Sequence, residues 1–218
     1  MEQPNATLDL KEKPKKAKSS SAKEKIYKMR KIILIAHTSL DGFVAGLKGE
    51  LDGFNAGKEN LEFVCQLTND ADTALFGRIS YQLLNNHWPT AKDRPNASSE
   101  EIAYSTWYNS AQKIVVSASL TKTGLRNTTI INENIVAEIE KLKQLPGKSI
   151  IVFGSPSIAQ LLMRHNLIDT YWIFINPVLF GKGIPLFTEQ ESKTHLILIS
   201  SKQFPNGELA LEYEKNNV

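Results

Sequence analysis

Three places in this 218-residue sequence set an apolar run directly against residues suited to binding an anion. In Ile150-Ile151-Val152-Phe153-Gly154-Ser155-Pro156-Ser157 a buried-strand pattern passes into a helical one. A helix start carries free backbone N–H groups and the positive end of the helix dipole, and both favour a phosphate. Gly154 permits close backbone approach, Pro156 suits the first helical turn, and Ser155 or Ser157 can cap. Leu75-Phe76-Gly77-Arg78 repeats the arrangement with an arginine, whose planar fork matches a phosphate. Val115-Val116-Ser117-Ala118-Ser119 puts hydroxyls behind a third apolar run. Each has an ordinary alternative: a strand-to-helix turn that binds nothing, a surface charge, a polar loop. Three such junctions after three strands suit a long, multiply phosphorylated ligand such as a dinucleotide.

A fourth candidate follows the first apolar run, in His37-Thr38-Ser39-Leu40-Asp41-Gly42, and its Asp-Gly pair returns in Leu51-Asp52-Gly53-Phe54. Glycines grouped at a strand end describe either a movable lid over a ligand or an ordinary hairpin. His37 could approach the same pocket or serve packing. His87, before Trp88-Pro89, reads as a partner for the C-terminal dipole of the helix before it. No set of histidines and carboxylates has metal-ligand spacing, so no metal is expected.

The elements that must position these residues alternate. Lys31–Ala36, Thr73–Phe76, Lys113–Ser117, Thr128–Ile131 and Ser149–Phe153 read as strands, the first apolar throughout as in a parallel sheet buried on both faces. Glu59–Asn69, Arg78–Asn86, a segment from Ser98 to about Ala111, Ile135–Leu145 and the stretch after Ser155 read as helices. Ser98-Ser99-Glu100-Glu101 supplies a cap and first-turn acids, and Pro146-Gly147 a stop. Thr170–Val178, His195–Ser200 and Glu208–Glu214 are strands, the last two joined through the turn signal Pro205-Asn206-Gly207. Leu209, Leu211 and Tyr213 are expected to form the covered face of the last strand. The architecture is α/β: a mixed, mostly parallel sheet with helices on both faces, closed by a C-terminal antiparallel hairpin. Ligands of such sheets lie beyond the carboxyl ends of the strands, where the candidates fall.

Composition limits the functions available. Hydrophobic residues make up 41% of the chain with no run of membrane-spanning length, and the polar opening predicts no secretory leader. The single cysteine, Cys65, excludes an internal disulfide and reads as a small core residue of a protein in a reducing, cytoplasmic compartment. Residues 1–28 carry eight lysines against four acids, so this segment holds +4 and the remainder of a chain of formal charge +3 is close to neutral at −1. The segment is expected to be a disordered tail, or a targeting or anion-binding arm, with one folded domain over 29–218. A near-neutral domain without a basic, aromatic stripe predicts neither nucleic-acid nor membrane binding.

The ordered motifs Ser39-Leu-Asp-Gly42, Leu75-Phe-Gly-Arg78, Lys113-Ile-Val-Val-Ser117, Val152-Phe-Gly-Ser155, Leu167-Ile-Asp169 and Asn176-Pro-Val-Leu-Phe-Gly-Lys-Gly-Ile-Pro-Leu-Phe187 resemble the reductase domain of bacterial riboflavin biosynthesis. That domain, the RibD C-terminal type, belongs with the dihydrofolate-reductase-like proteins. The resemblance covers about Met29 to Tyr213 and points to a small stand-alone member, because no deaminase motif is present.

It implies a three-layer αβα dihydrofolate reductase-like fold that binds NADPH and passes hydride to a C=N or C=O group of a small, pyrimidine- or pterin-like substrate. Gly77 and Arg78 would meet the adenosine phosphates, Ser117 and Ser119 the 2′-phosphoribose, and Gly154, Ser155, Pro156, Ser157 and Ile158 the pyrophosphate. Ser39 and Asp41 would border the nicotinamide as catalytic candidates. His37 and the Phe180-Gly181-Lys182-Gly183 loop would meet substrate, Lys182 as the basic residue a phosphoribosyl group requires. Dihydrofolate reductases carry a carboxylic acid early in the first long helix, where this sequence has Asn60, or Glu59 if the register shifts by one. An amide cannot relay a proton, so two readings stand: a reductase, or a non-catalytic nucleotide-binding protein of the same fold. Related proteins are commonly homodimers, and the Tyr171–Ile175 strand with its neighbours offers apolar surface for one.

Overall fold

The apolar run after Arg30 forms β1 (Ile32–Ser39), whose side chains alternate between two buried layers. Ile32, Leu34 and Ala36 join one core cluster and Ile35 the other. This two-residue period is why helices must cover both faces. The structure is a computed structural model that describes residues 29–54, 57–121, 127–189 and 193–216. The expectation of a disordered 1–28 tail lies outside the described residues.

In chain order β1 is followed by β2 (Phe43–Ala45), α1 (Lys58–Thr68), β3 (Ala71–Gly77), α2 (Arg78–Asn85), α3 (Trp88–Ala91) and α4 (Ser99–Ser110). Then come β4 (Gln112–Val116), β5 (Thr128–Ile131), α5 (Ile135–Gln144), β6 (Ser149–Phe153), α6 (Pro156–Arg164) and β7 (Thr170–Asn176). The chain closes with β8 (Ile184–Pro185), β9 (Leu196–Gln203) and β10 (Leu209–Lys215).

Eight strands make one sheet in the order β5-β4-β3-β6-β1-β7-β10-β9. The pairs from β5 to β7 are parallel, and β10 runs antiparallel to both β7 and β9. Strands β2 and β8 form a separate antiparallel pair. Helices α5 and α6 place Ile139, Ile158, Ala159 and Leu162 in one core layer. Helices α1, α2 and α4 place Val64, Tyr81, Tyr104 and Tyr108 in the other. Each such buried side chain contributes roughly 1.5–3 kcal/mol, before ordering costs. The cap expected for α4 is a full capping box: Ser98 Oγ accepts from Glu101 N at 3.1 Å and Glu101 Oε2 from Ser98 N at 2.9 Å.

Four expectations need correction, and two short strands were not foreseen. The fully buried residues are Ala210 of β10 and Glu208 just before it, whereas on the expected face Leu209 is exposed and only Leu211 and Tyr213 are half-buried, Tyr213 against the other core layer. The reason is β10's register against β7, which sets Ala210 opposite Phe174 beneath the Phe63–Phe174–Phe204 stack. Tyr171–Ile175 offers little free surface because β7 lies between β1 and β10; the exposed apolar row is Leu196, Ile197, Leu198 and Ile199 of edge strand β9. His87 sits at the start of α3, not in the last turn of α2, and accompanies Arg94. Burial and then Arg94 hold its imidazole below its ordinary pKa, so it is no charged dipole partner. Cys65 is only half-buried, its thiol donating to the Glu100 carbonyl. Strands β2 and β8 were too short to register as periodic patterns.

Candidate active site

A cavity of about 1070 Å³ opens at the carboxyl ends of β1, β3, β4 and β6. Its walls include Gly77, Arg78, Ile79 and Ser80 at the start of α2, Gly154 through Ser157 at the start of α6, and Ser117, Ala118 and Ser119 after β4. Parallel strands bring the three junctions together by placing like ends side by side.

Local geometry at each junction leaves donors available. The chain turns from β6 into α6 with Gly154 at φ +52° and Ser155 at φ +46°, a left-handed pair that side-chain-bearing residues rarely adopt. Ser155 does not cap its own helix. Its hydroxyl reaches across to accept from Gly77 N at 2.8 Å, tying the start of α2 to that of α6. Ser157 does not cap it either, and neither helix has a side-chain cap. The first-turn amides of α2 and the Ser157 amide of α6 therefore remain available to a ligand, since Pro156 has no N–H and Ile158 N donates to the Ser155 carbonyl at 2.9 Å. An added Cβ at Gly154 would meet nothing within 4 Å, so the turn faces open space. Arg78 donates only to Gln82, at 3.1 Å, and forms no ion pair among the described residues. Ser117 Oγ accepts from the amides of Ser119 and Leu120, at 3.2 and 2.9 Å, which leaves its O–H to donate. Two uncapped helix starts, one unpaired guanidinium and an oriented hydroxyl on one cavity fit the phosphates of a dinucleotide.

Ile158 is the exception among the cofactor candidates. It is buried in the core with Cγ1 3.3 Å from the position a Gly77 Cβ would take, so it packs the junction and does not line the cavity.

The Ser39 and Asp41 side chains go elsewhere. Ser39 Oγ donates to Asp41 Oδ1 at 2.6 Å and accepts from Phe43 N at 3.0 Å. The Asp41 carboxylate accepts from the amides of Phe180 and Gly181, at 3.1 and 2.7 Å. The Ser39 hydroxyl first, and these amides after it, hold the exposed Asp41 carboxyl below its ordinary pKa. Phe180 stacks on Phe54, and any Cβ at Gly183 would strike the Ala45 carbonyl oxygen. Ser39, Asp41, Phe180, Gly181, Lys182 and Gly183 are thus brought to one another but do not line the cavity. They form a latch that clamps β2 against β8, and Val44, Ala45 and Ile184 of that pair are wall residues.

His37 does line the cavity, and its partner escaped the sequence reading. Nδ1 lies 2.8 Å from Oε1 of Glu208, while Glu208 Oε2 accepts from Asn60 Nδ2 at 2.6 Å. The imidazole stacks on Phe174 at 4.6 Å. The one available signal was a carboxylate directly after a tight Pro-Asn-Gly turn, which alternation assigned to the wrong face. Much of the remaining wall is apolar, with Leu51, Phe54, Leu61, Val64, Leu83 and Trp88, and Lys58, Asn60, Ser98 and Glu101 add polar groups to it. Among the described residues no group of three or more His, Cys, Asp or Glu gathers as a metal site, and no helix is long and apolar enough to cross a membrane.

Comparison with known proteins agrees with this arrangement. The family described as the RibD C-terminal domain matches residues 30–210. The uncharacterized protein YyaP of Bacillus subtilis (strain 168) is 33% identical over 192 residues, 87% of this chain and 97% of its own. A diaminohydroxyphosphoribosylaminopyrimidine deaminase/5-amino-6-(5-phosphoribosylamino)uracil reductase from Thermotoga maritima superposes with a TM-score of 0.62 at 16% identity, over 87% of this chain and 57% of that one. Dihydrofolate reductase from Enterococcus faecalis, in complex with NADP(H), superposes with a TM-score of 0.55 at 15% identity, over 88% of this chain and all of that one. The α/β fold is dihydrofolate-reductase-like, as the motifs implied.

Proposed function

The chain belongs to the RibD C-terminal domain family, and from that premise we propose that it is a stand-alone NADPH-dependent reductase acting on a C=N or C=O group of a small pyrimidine- or pterin-like substrate. The observation that carries the reading is the pair of uncapped helix starts, with Arg78 between them and solvent, opening on one cavity. When bound, NADPH supplies the hydride. The chain would hold its phosphates with the first-turn amides of α2, with the Ser157 amide of α6, with Arg78, and with the Ser117 and Ser119 junction. The latch at Asp41 would keep the β2–β8 wall closed against water, which strengthens every polar contact inside.

The uracil reductase step of riboflavin synthesis is the narrower form of this proposal, supported by the fold shared with the Thermotoga maritima deaminase/reductase. Lys182 is not on the cavity wall, so the cation available to a phosphoribosyl group there is Lys58, which lies 3.8 Å from Glu100. We also propose a homodimer through β9, whose Leu196, Ile197, Leu198 and Ile199 are 40–52% exposed on an edge strand. Light scattering should give twice the chain mass, and Ile197→Lys should halve it.

The test is a titration with NADPH and with NADH, followed by quenching of Trp88, which lines the cavity. NADPH should bind more tightly, and Arg78→Ala should remove most of that preference. Failure of either nucleotide to bind would overturn the proposal. Tight binding with no turnover across imine and carbonyl acceptors would favour a non-catalytic nucleotide-binding protein, the reading that Asn60 in place of a carboxylic acid supports.

A further inference from the structure

We infer that His37, oriented by Glu208 and Asn60, hands the substrate its proton; this assignment rests on the reductase reading above. Glu208 has no exposed side-chain surface, and each of its carboxylate oxygens has one partner, His37 Nδ1 and Asn60 Nδ2. Among the described residues no lysine or arginine lies within ion-pair distance of it. A buried carboxylate is costly without a compensating charge, and the side chain placed to carry one is His37.

The geometry assigns each nitrogen a task. A carboxylate only accepts hydrogen bonds, so Nδ1 donates to Glu208. Stacking on Phe174, with the planes 22° apart, holds the ring in place. Nε2 has no partner among the described residues, and the His37 side chain, 28% exposed, borders the cavity. The Nε2 edge, which bears a proton in the imidazolium, therefore faces the place where an acceptor would lie. A carboxylate behind a histidine, fixing its orientation and tautomer, is a general device for making imidazole an acid or base.

This arrangement gives Asn60 a role. It stands early in the first long helix and cannot itself relay a proton, but its amide donates to Glu208, which arrives from the opposite end of the chain. The carboxyl group missing from α1 is supplied by the β9–β10 hairpin, and His37 carries its effect to the cavity. His37 is the catalytic residue of this assignment; Glu208 and Asn60 are positioning residues.

In a C=N reduction the acceptor carbon gains hydride from the reductant, NADPH, which ends as NADP⁺. The π electron pair moves onto nitrogen, and that nitrogen gains the Nε2 proton of the His37 imidazolium, which is left as the neutral ring with its proton on Nδ1. His37 then recovers a proton from water through its exposed edge.

Two readouts test the assignment. The first needs no turnover: long-range ¹H–¹⁵N NMR of histidine-labelled protein without cofactor, with His37 identified by its loss in His37→Gln. Neutral His37 should carry its proton on Nδ1, and Glu208→Gln should move much of the population to Nε2–H. The same tautomer population in both proteins would overturn the assignment. The second compares 3,4-dihydroisoquinoline, whose nitrogen must gain a proton on reduction, with N-methyl-3,4-dihydroisoquinolinium, which needs none. In His37→Gln the imine-to-iminium rate ratio should fall at least ~100-fold, the lower end of general-acid contributions, and in Glu208→Gln it should fall less. An unchanged ratio, or a wild type that reduces only the iminium, overturns the donor role. A wild type that binds no NADPH overturns the reductase reading instead, and the tautomer comparison still decides whether Glu208 sets the imidazole.

Discussion

The two ends of the central sheet treat charge in opposite ways. At the amino ends of the strands, Arg30 pairs with Asp72 and donates to Thr73 Oγ1 and the Lys148 carbonyl, both at 2.6 Å. Nearby, Lys143 meets Asp169 at 2.6 Å, and the same Asp169 oxygen accepts from Ile32 N at 2.7 Å. At the carboxyl ends, two helix starts have no side-chain cap and Arg78 has no carboxylate. Satisfied charges hold the strands in register. Unsatisfied donors cost stability in the free protein and gain a partner only when a ligand arrives. The difference separates, residue by residue, what folds the chain from what the fold is for.

The largest effect should come from breaking the amino end. Asp72→Ala leaves the Arg30 side chain, 5% exposed, without its carboxylate. Urea unfolding should show a loss of about 2–3 kcal/mol, below the range for fully buried pairs because Asp72 is half-exposed, while NADPH affinity stays as it was. Arg78→Ala should do the reverse. Its NADPH dissociation constant should rise roughly 10- to 100-fold, the range of a charge-assisted contact, and its unfolding midpoint should stay within about 0.5 kcal/mol. Equal losses of stability in the two variants would erase the distinction between the ends.

Ser155→Ala joins the two behaviours, since its hydroxyl accepts from Gly77 N between two cavity-facing helix starts. It should cost about 1 kcal/mol in stability and weaken NADPH as well. Lys113 sharpens the comparison from the amino end, where it is a buried cation with no carboxylate partner among the described residues. It is buried, donates to the Ala111 carbonyl, and lies 4.8 Å from the Tyr108 ring centre. Burial pushes its ammonium down to about 8 from 10.5. Between those values the unfolded chain binds a proton that the folded chain has released, so stability should rise with pH over that window. Lys113→Met should stabilise the protein by about 1–2 kcal/mol at pH 7 and should flatten that rise in pH-dependent melting curves.

Legibility in the sequence followed the range of the interaction. Strands β5 and β6 fall where the apolar runs place them, and the capping box of α4 was visible as Ser98 with Glu101 three residues on. The three junctions that wall the cavity were legible for the same reason, each being a few consecutive residues. The expected catalytic pair Ser39 and Asp41 shows the limit. Its loop was read correctly as a tight turn, but the carboxylate is held by amides about 140 residues away and serves the wall.

By itself the sequence determined the alternation of strands and helices, the parallel sheet and the anion-friendly helix starts, because hydrophobic period, caps and turn residues act over a few positions. Tertiary structure alone decided that Glu208 turns inward and meets His37, 171 residues earlier in the chain. Pairing of β10 with β7 sets which of its two faces is buried, and a strand's own alternation is the same for either choice.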